Sequence, residues 1–196
     1  GPFIDVAPHQ ELGLILVIPC YNETNLIASL EDLFHADDPK CALEIIVVIN
    51  ASEDASDQIK AQNEETYLEV KDWTAKNQKA NFSVHQIFTN NLPKKHAGVG
   101  FARKIGMDEA VYRFEQINTD GIIACFDADS KCDTNYLVEI EAHFNRHPTS
   151  PGCSIHYEHP LTGNEFDAQV YQGIIGYELH LRYYNQALKF CGLPYA

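Results

Sequence analysis

The sequence predicts an α/β fold of three layers, with helices on both faces of a mostly parallel, doubly wound sheet. Three observations carry this expectation. Short apolar runs rich in Val, Ile and Leu have the length and composition of strands buried on both faces. Segments with apolar residues at helical spacing alternate with them, and the connections between are short. The 196 residues, 45% hydrophobic and 21% charged, suit one domain with a sizeable core, so residues 1–196 are read as a single domain.

Taken in order, Leu14 to Ile18 reads as a buried strand stopped by Pro19. Asn22 to Phe34 then has helical spacing through Leu26, Ile27, Leu30 and Leu33. Leu43 to Asn50 is a second strand, apolar on both faces. Ser52 to about Asn77 is helical, with Ile59, Tyr67, Leu68, Val70 and Trp73 as its core stripe. Phe82 to Phe88 alternates as a third strand, Gly100 to Phe114 is helical, and Ile122 to Phe126 is a fourth strand that runs into Asp127-Ala128-Asp129. A helix near Thr134 to Arg146, a strand around Cys153 to Tyr157 and a long helix from about Phe166 to Phe190 complete the pattern. In that last helix Tyr171, Ile174, Ile175, Tyr177, Leu179, Leu181, Tyr184 and Leu188 are expected to be packing residues. The stretch from His147 to Gly152 is read as a loop within the domain.

The formal charge of −14, with only 14 Lys and Arg, argues against a nucleic-acid or anionic-membrane surface. No apolar run is long enough to span a bilayer, and no leader is read at the start. The six cysteines, Cys20, Cys41, Cys125, Cys132, Cys153 and Cys191, show no Cys-x-x-Cys pair and no zinc-type spacing. Reduced, mostly buried thiols in a cytoplasmic protein are therefore expected.

In a doubly wound sheet, ligand-binding residues follow the carboxyl ends of strands. The apolar run ending in Asp127-Ala128-Asp129 places two carboxylates at such an end, where one can take a sugar hydroxyl and the other a hard divalent cation already holding a diphosphate. The first strand ends in Pro19-Cys20-Tyr21-Asn22-Glu23, with a flat ring to stack on a base and an acidic acceptor; the same stretch also serves as a turn in which Asn22 caps the helix. The second ends in Asn50-Ala51-Ser52-Glu53-Asp54, where Ser52 and Asp54 are explained by capping and Asn50 is left as the ligand candidate. Ahead of the third long helix, Gly98 and Gly100 allow backbone N–H groups to approach an anion, and Arg103 and Lys104 put positive charge where acids are usual.

These four motifs, in order from Leu14 to Asp129, resemble the family 2 glycosyltransferases of the GT-A fold, which transfer a sugar from a nucleotide-diphosphate donor. The resemblance implies that Pro19, Tyr21 and Glu23 pocket the base, Arg103 lines the nucleotide site, Asp127 holds the ribose and Asp129, with Asp127, binds a divalent metal, Mn or Mg. It further implies a metal-dependent, inverting transfer from a nucleotide-diphospho-sugar to a hydroxyl on a sugar, lipid or protein acceptor.

There are departures from the family pattern. The second strand of the family commonly ends in acids, one of which pairs with the base N–H, and here Ile49-Asn50 stands in that place. An Asn carbonyl can accept the same bond. The helix the family opens with Ala-Arg-Asn reads Ala102-Arg103-Lys104. Nothing after Asp129 matches the family's carboxylate base, so no catalytic residue is identified. The base and the acceptor wall are expected beyond Ala196, the apolar end from Phe190 to Ala196 reading as a cut within the domain.

The alternatives are a non-catalytic nucleotide-sugar-binding domain and a nucleotidyltransferase on a related sheet. The second would need its Gly-rich basic loop after the first strand, where Cys20-Tyr21-Asn22 stands. A phosphatase led by Asp127 would carry its aspartates after the first strand. A calcium loop from Asp127 fails at Cys132 and Val138, which occupy its sixth and twelfth positions.

Overall fold

In a computed structural model that describes residues 2–193, four of the five expected strands form one all-parallel sheet. They are β1 (Leu12–Cys20), β2 (Ala42–Ser52), β3 (Phe82–Leu92) and β4 (Ile122–Cys125), in the order β3-β2-β1-β4. The chain steps outward from β1 to β3, then returns across the sheet to place β4 on the other side of β1. That reversal opens a switch point between the carboxyl ends of β1 and β4.

Alternation along the strands builds two cores. Leu14, Leu16 and Ile18 of β1 and Leu43, Ile45, Val47 and Ile49 of β2 face α1 (Leu26–His35), α2 (Asp57–Lys76) and α4 (Tyr136–Arg146). Ile15, Val17, Ile46 and Val48 face α3 (Val99–Gln116), with Ile4 of the amino-terminal segment in the same cluster. Each fully buried Val, Leu or Ile contributes about 1.5–3 kcal/mol, and β1 and β2 are almost wholly buried. This is the three-layer α/β/α arrangement expected from the apolar runs.

Some local expectations are corrected. Helix α2 starts at Asp57, and Ser56, not Ser52 or Asp54, occupies its N-cap and accepts from the Ile59 N–H. Ser52 instead bonds the Asp54 carboxylate, and Asp54 pairs with Lys94. The inward face of α2 carries Asn63, Thr66, Val70 and Trp73, while Leu68 is 58% exposed. The apolar residues of α2 alone do not mark its buried stripe, because two of the inward positions are polar.

The chain divides into two compact units, residues 1–149 and 150–196, described here separately. In the second unit no strand forms at Cys153 to Tyr157; that segment is irregular and exposed, and none of the described strands pairs with it. A single extended segment has no ladder to satisfy its backbone and gains nothing from a strand conformation. Helix α5 (Ala168–Phe190) forms as expected, but its packing does not. Only Tyr171 and Glu178 are buried in it, and Ile175, Tyr177, Leu179 and Tyr184 are exposed. One stripe faces the preceding segment, where Tyr171 packs on Phe166 and Glu178 accepts from the His159 ring; side chains at other angles around the helix turn away. Of the apolar carboxyl-terminal run, Pro194 to Ala196 lie outside the described residues.

Candidate functional site

Beyond β1 the chain turns sharply to enter α1. Asn22 takes a left-handed φ of 50°, a conformation Asn tolerates better than most residues, and its N–H donates to Asn63 Oδ1 at 2.9 Å. Asn22 does not cap the helix. The N-cap residue is Asn25, without a side-chain cap bond, and the Glu23 carboxylate closes the preceding turn by accepting from the N–H groups of Thr24 at 2.9 Å and Asn25 at 2.7 Å. Tyr21 stands 53% exposed just before this turn.

Helix α3 delivers the cation. At Gly106 a Cβ would lie 2.4 Å from Val17 Cγ1 and 3.1 Å from Val48 Cγ2, so only glycine lets the helix sit this close to β1 and β2. One turn earlier, Arg103 Nη2 pairs with the Asp127 carboxylate. The Arg103 Nε is buried and has no acceptor among the described residues, leaving an unused donor beside the pair.

The loop after β4 is fixed on both sides. The Phe126 N–H donates to the Val17 carbonyl at 3.0 Å, continuing the β1–β4 pairing. On the other side Ser29 of α1, buried among leucines, offers its one hydroxyl proton to the carbonyls of Ala128 and Ser130, both at 2.8 Å. Asp127 and Asp129 therefore project from a backbone held by β1 and α1. Asp129 is exposed, and among the described residues its carboxylate has no hydrogen-bond or ion-pair partner.

A cleft of about 370 Å³ lies at this switch point, lined by Pro19, Tyr21, Glu23, Val99, Arg103, Ala128 and the two aspartates Asp127 and Asp129. Six residues expected from sequence to bind nucleotide or metal thus meet on one surface, though they come from three separate segments. Asn50 does not line it. It is 2% exposed at the end of β2, on the α3 side of the sheet, and its carbonyl accepts from Asn63 Nδ2 at 3.1 Å. A second hollow, lined by Glu64, Tyr67, Leu68 and Phe88, lies at the α2–β3 edge and contains none of the expected site residues.

Among the described residues no group of three or more His, Cys, Asp or Glu is disposed to hold a metal unaided. Asp127 and Asp129 nonetheless suit a hard divalent cation shared with a ligand. Such ions take one or two carboxylates and complete their shell with phosphate and water. The residues that sequence reasoning missed are Ser29, Asn63 and Thr66, which hold the cleft's backbone and do not line it. Their signal was present: each is a polar residue at an inward helical position among apolar ones.

The model of the glycosyl transferase family 2 matches residues 15–192. No curated protein sequence matches the chain. Among solved structures it is similar to S. aureus TarS, at 20% identity and a TM-score of 0.44, over 70% of this chain and 20% of that one. It is also similar to S. aureus TarS 1-349 in complex with UDP-GlcNAc, at 19% identity and a TM-score of 0.41, over 75% of this chain and 38% of that one. The chain thus spans well under half the length of these proteins.

Proposed function

Because this chain belongs to glycosyl transferase family 2, we propose that it moves a sugar from a nucleotide-diphosphate donor to an acceptor hydroxyl, with the switch-point cleft as its donor site. One observation carries the proposal: Pro19, Tyr21, Glu23, Arg103, Asp127 and Asp129 line a single cleft at the carboxyl ends of β1 and β4. The family match runs through both compact units, which supports reading residues 15–192 as one glycosyltransferase domain.

In this reading the Tyr21 ring stacks on the base, Pro19 and Glu23 wall the base pocket, and Arg103 lines the nucleotide site with its guanidinium charge. Asp127 accepts from the ribose hydroxyls while Arg103 fixes its carboxylate. Asn50 occupies the sequence position of the family's base-reading acid but is buried behind the cleft, and would act on base choice through its carbonyl bond to Asn63. Asp127 and Asp129 hold a divalent cation, Mn or Mg, which when bound supplies positive charge to the leaving diphosphate. Without it, carboxylates and diphosphate at short range would repel by several kcal/mol, roughly, by Coulomb's law. The acceptor hydroxyl gives its proton to a general base and its oxygen attacks the anomeric carbon in line as the bond to the diphosphate breaks, with inversion. Cytoplasmic residence and reduced thiols belong to the same proposal; the six cysteines are free, but only Cys20 is buried and Cys125, Cys153 and Cys191 are exposed, so the expectation of mostly buried thiols is corrected. No helix among the described residues is long and apolar enough to cross a membrane.

A thermal-shift panel of nucleoside diphosphates and their sugars, with and without manganese, tests the proposal. A ligand at a hundred times its dissociation constant should stabilise the fold by about 2.7 kcal/mol. Stabilisation by one base class, enhanced by manganese, is expected. Indifference to every nucleotide at millimolar concentration would overturn the donor-site reading.

A further inference from the structure

We propose that Asn63 of α2 is a positioning residue for the donor cleft, holding the Tyr21–Glu23 turn in register with β2 and β3. The inference rests on the donor-site reading above. Asn63 is fully buried, and its single amide reaches three chain segments. Its Oδ1 accepts from the Asn22 N–H at 2.9 Å; its Nδ2 donates to the Asn50 carbonyl at 3.1 Å and to Asn90 Oδ1 at 2.7 Å. Those partners lie at the carboxyl ends of β1, β2 and β3. Asn90 in turn donates to the Lys60 carbonyl at 3.2 Å, closing the link back to α2. One turn along the helix, the Thr66 hydroxyl donates to the Glu23 carbonyl at 2.8 Å, sharing its proton with the Gln62 carbonyl at 2.9 Å.

The turn beside Tyr21 is therefore gripped at two consecutive residues. Asn22 sits in a left-handed conformation that an unheld chain would seldom keep, and its N–H has Asn63 as acceptor. The position otherwise invites an apolar side chain, because Val70 and Trp73 share the same inward face of α2. Asn is also among the weaker helix formers, so neither propensity nor core packing accounts for it. What it offers is an acceptor and two donors on one short side chain, the combination these three segments require. Asp would present only acceptors to Asn50 and Asn90, and Leu would present nothing.

The test uses the whole chain, with Asn63→Ala and Asn63→Asp set against Val70→Ala, a buried change on the same helix away from the turn. Amide hydrogen exchange at Asn22 and Glu23 is one readout. The other is calorimetric binding of the uridine, guanosine, adenosine and cytidine diphosphates with manganese chloride, measured where every variant is folded. Asn63→Ala and Asn63→Asp should speed exchange at Asn22 and Glu23 selectively and weaken the tightest-bound diphosphate about tenfold, whereas Val70→Ala should lower the melting temperature and leave that affinity within about twofold.

Coupling separates positioning from stability alone. Tyr21→Ala should cost affinity in the parent and little more in the Asn63→Ala background. Additive losses, or parent-like exchange at Asn22 and Glu23, would overturn the proposal. If Asn63→Ala does not fold, Thr66→Val removes the hydroxyl that bonds the Glu23 carbonyl, along with its local bonds to Gln62, and carries the same cycle. A parent that binds none of the four diphosphates would instead refute the donor reading, and exchange at Asn22 and Glu23 would then decide the pinning by itself.

Discussion

Asp127 and Asp129 are one residue apart yet differently occupied. Asp127 is paired with Arg103, and both side chains are partly exposed, so the pair adds no more than about 1 kcal/mol to stability. Its larger effect is orientation. Among the described residues Asp129 has no such partner, and replacing it with Ala should abolish manganese-dependent donor binding while shifting fold stability by less than about 0.5 kcal/mol, the usual range for an exposed site. Calorimetry with and without manganese checks the first, and urea unfolding the second. Ser29→Ala should behave differently: losing a buried hydroxyl that serves two carbonyls should cost about 1–3 kcal/mol, and donor affinity should fall because the loop carrying both aspartates is released. Donor binding unchanged in a destabilised Ser29→Ala would show that the loop holds its shape without α1. At Asn50 the expected readout is selectivity: Asn50→Asp should alter discrimination among the four nucleoside diphosphates more than affinity for inorganic diphosphate. Equal effects on all five ligands would remove Asn50 from base recognition.

At the scale of elements, α3 shows how packing sets chemistry. Its contact with β1 and β2 runs through Gly106, and Arg103 lies one turn closer to the cleft. Gly106→Ala must push the helix away from Val17 or distort the strand, at a cost of about 1–3 kcal/mol for overpacking. The displaced Arg103 should then lose its bond to Asp127, so donor affinity should drop even where the variant is fully folded; unchanged affinity at a lowered melting temperature would show that the helix absorbs the shift elsewhere. The elements themselves were legible because β1, β2 and β4 carry short apolar runs, β3 alternates, and each helix of the first unit has at least a partial apolar stripe. The cleft was legible because its lining side chains follow strands in a fold whose ligand edge is known from topology. What stayed hidden depends on tertiary partners. Ser29, Asn63 and Thr66 act through bonds to segments 13 to 101 residues distant; their polar identity at inward positions was visible locally, but their partners were not. The expected strand at Cys153 to Tyr157 failed for the same reason, since a strand exists only where a neighbour pairs with it.

For the whole molecule, perturbed titrations define a window of greatest stability. Burial of His85 holds its pKa below the ordinary 6.5, an effect that Arg113 reinforces and the neighbouring Glu44 and Glu109 oppose. The folded state therefore keeps this ring neutral while the unfolded chain takes up a proton, and stability present above pH 6.5 is lost as pH falls. The carboxyls of Asp54, bonded by Lys94 and Ser52, of Glu141, bonded by the N–H groups of Lys40 and Cys41, and of Glu178, bonded by His159, are all held below their ordinary values. Their contributions disappear further into acid, in the same direction. The thiols act oppositely. Burial pushes Cys20 and Cys41 up to about 12 and Cys132 to about 11, from an ordinary 9.0, so the unfolded chain ionises first and stability falls as pH rises above 9.0. A formal charge of −14 at pH 7 adds self-repulsion on the alkaline side. Urea unfolding across pH should accordingly show a plateau from about pH 6.5 to 9 with decline on both flanks. His85→Gln should flatten the acid shoulder near pH 6, and Cys20→Ala should weaken the alkaline one. An acid shoulder left in place by His85→Gln would transfer that step to the carboxylates.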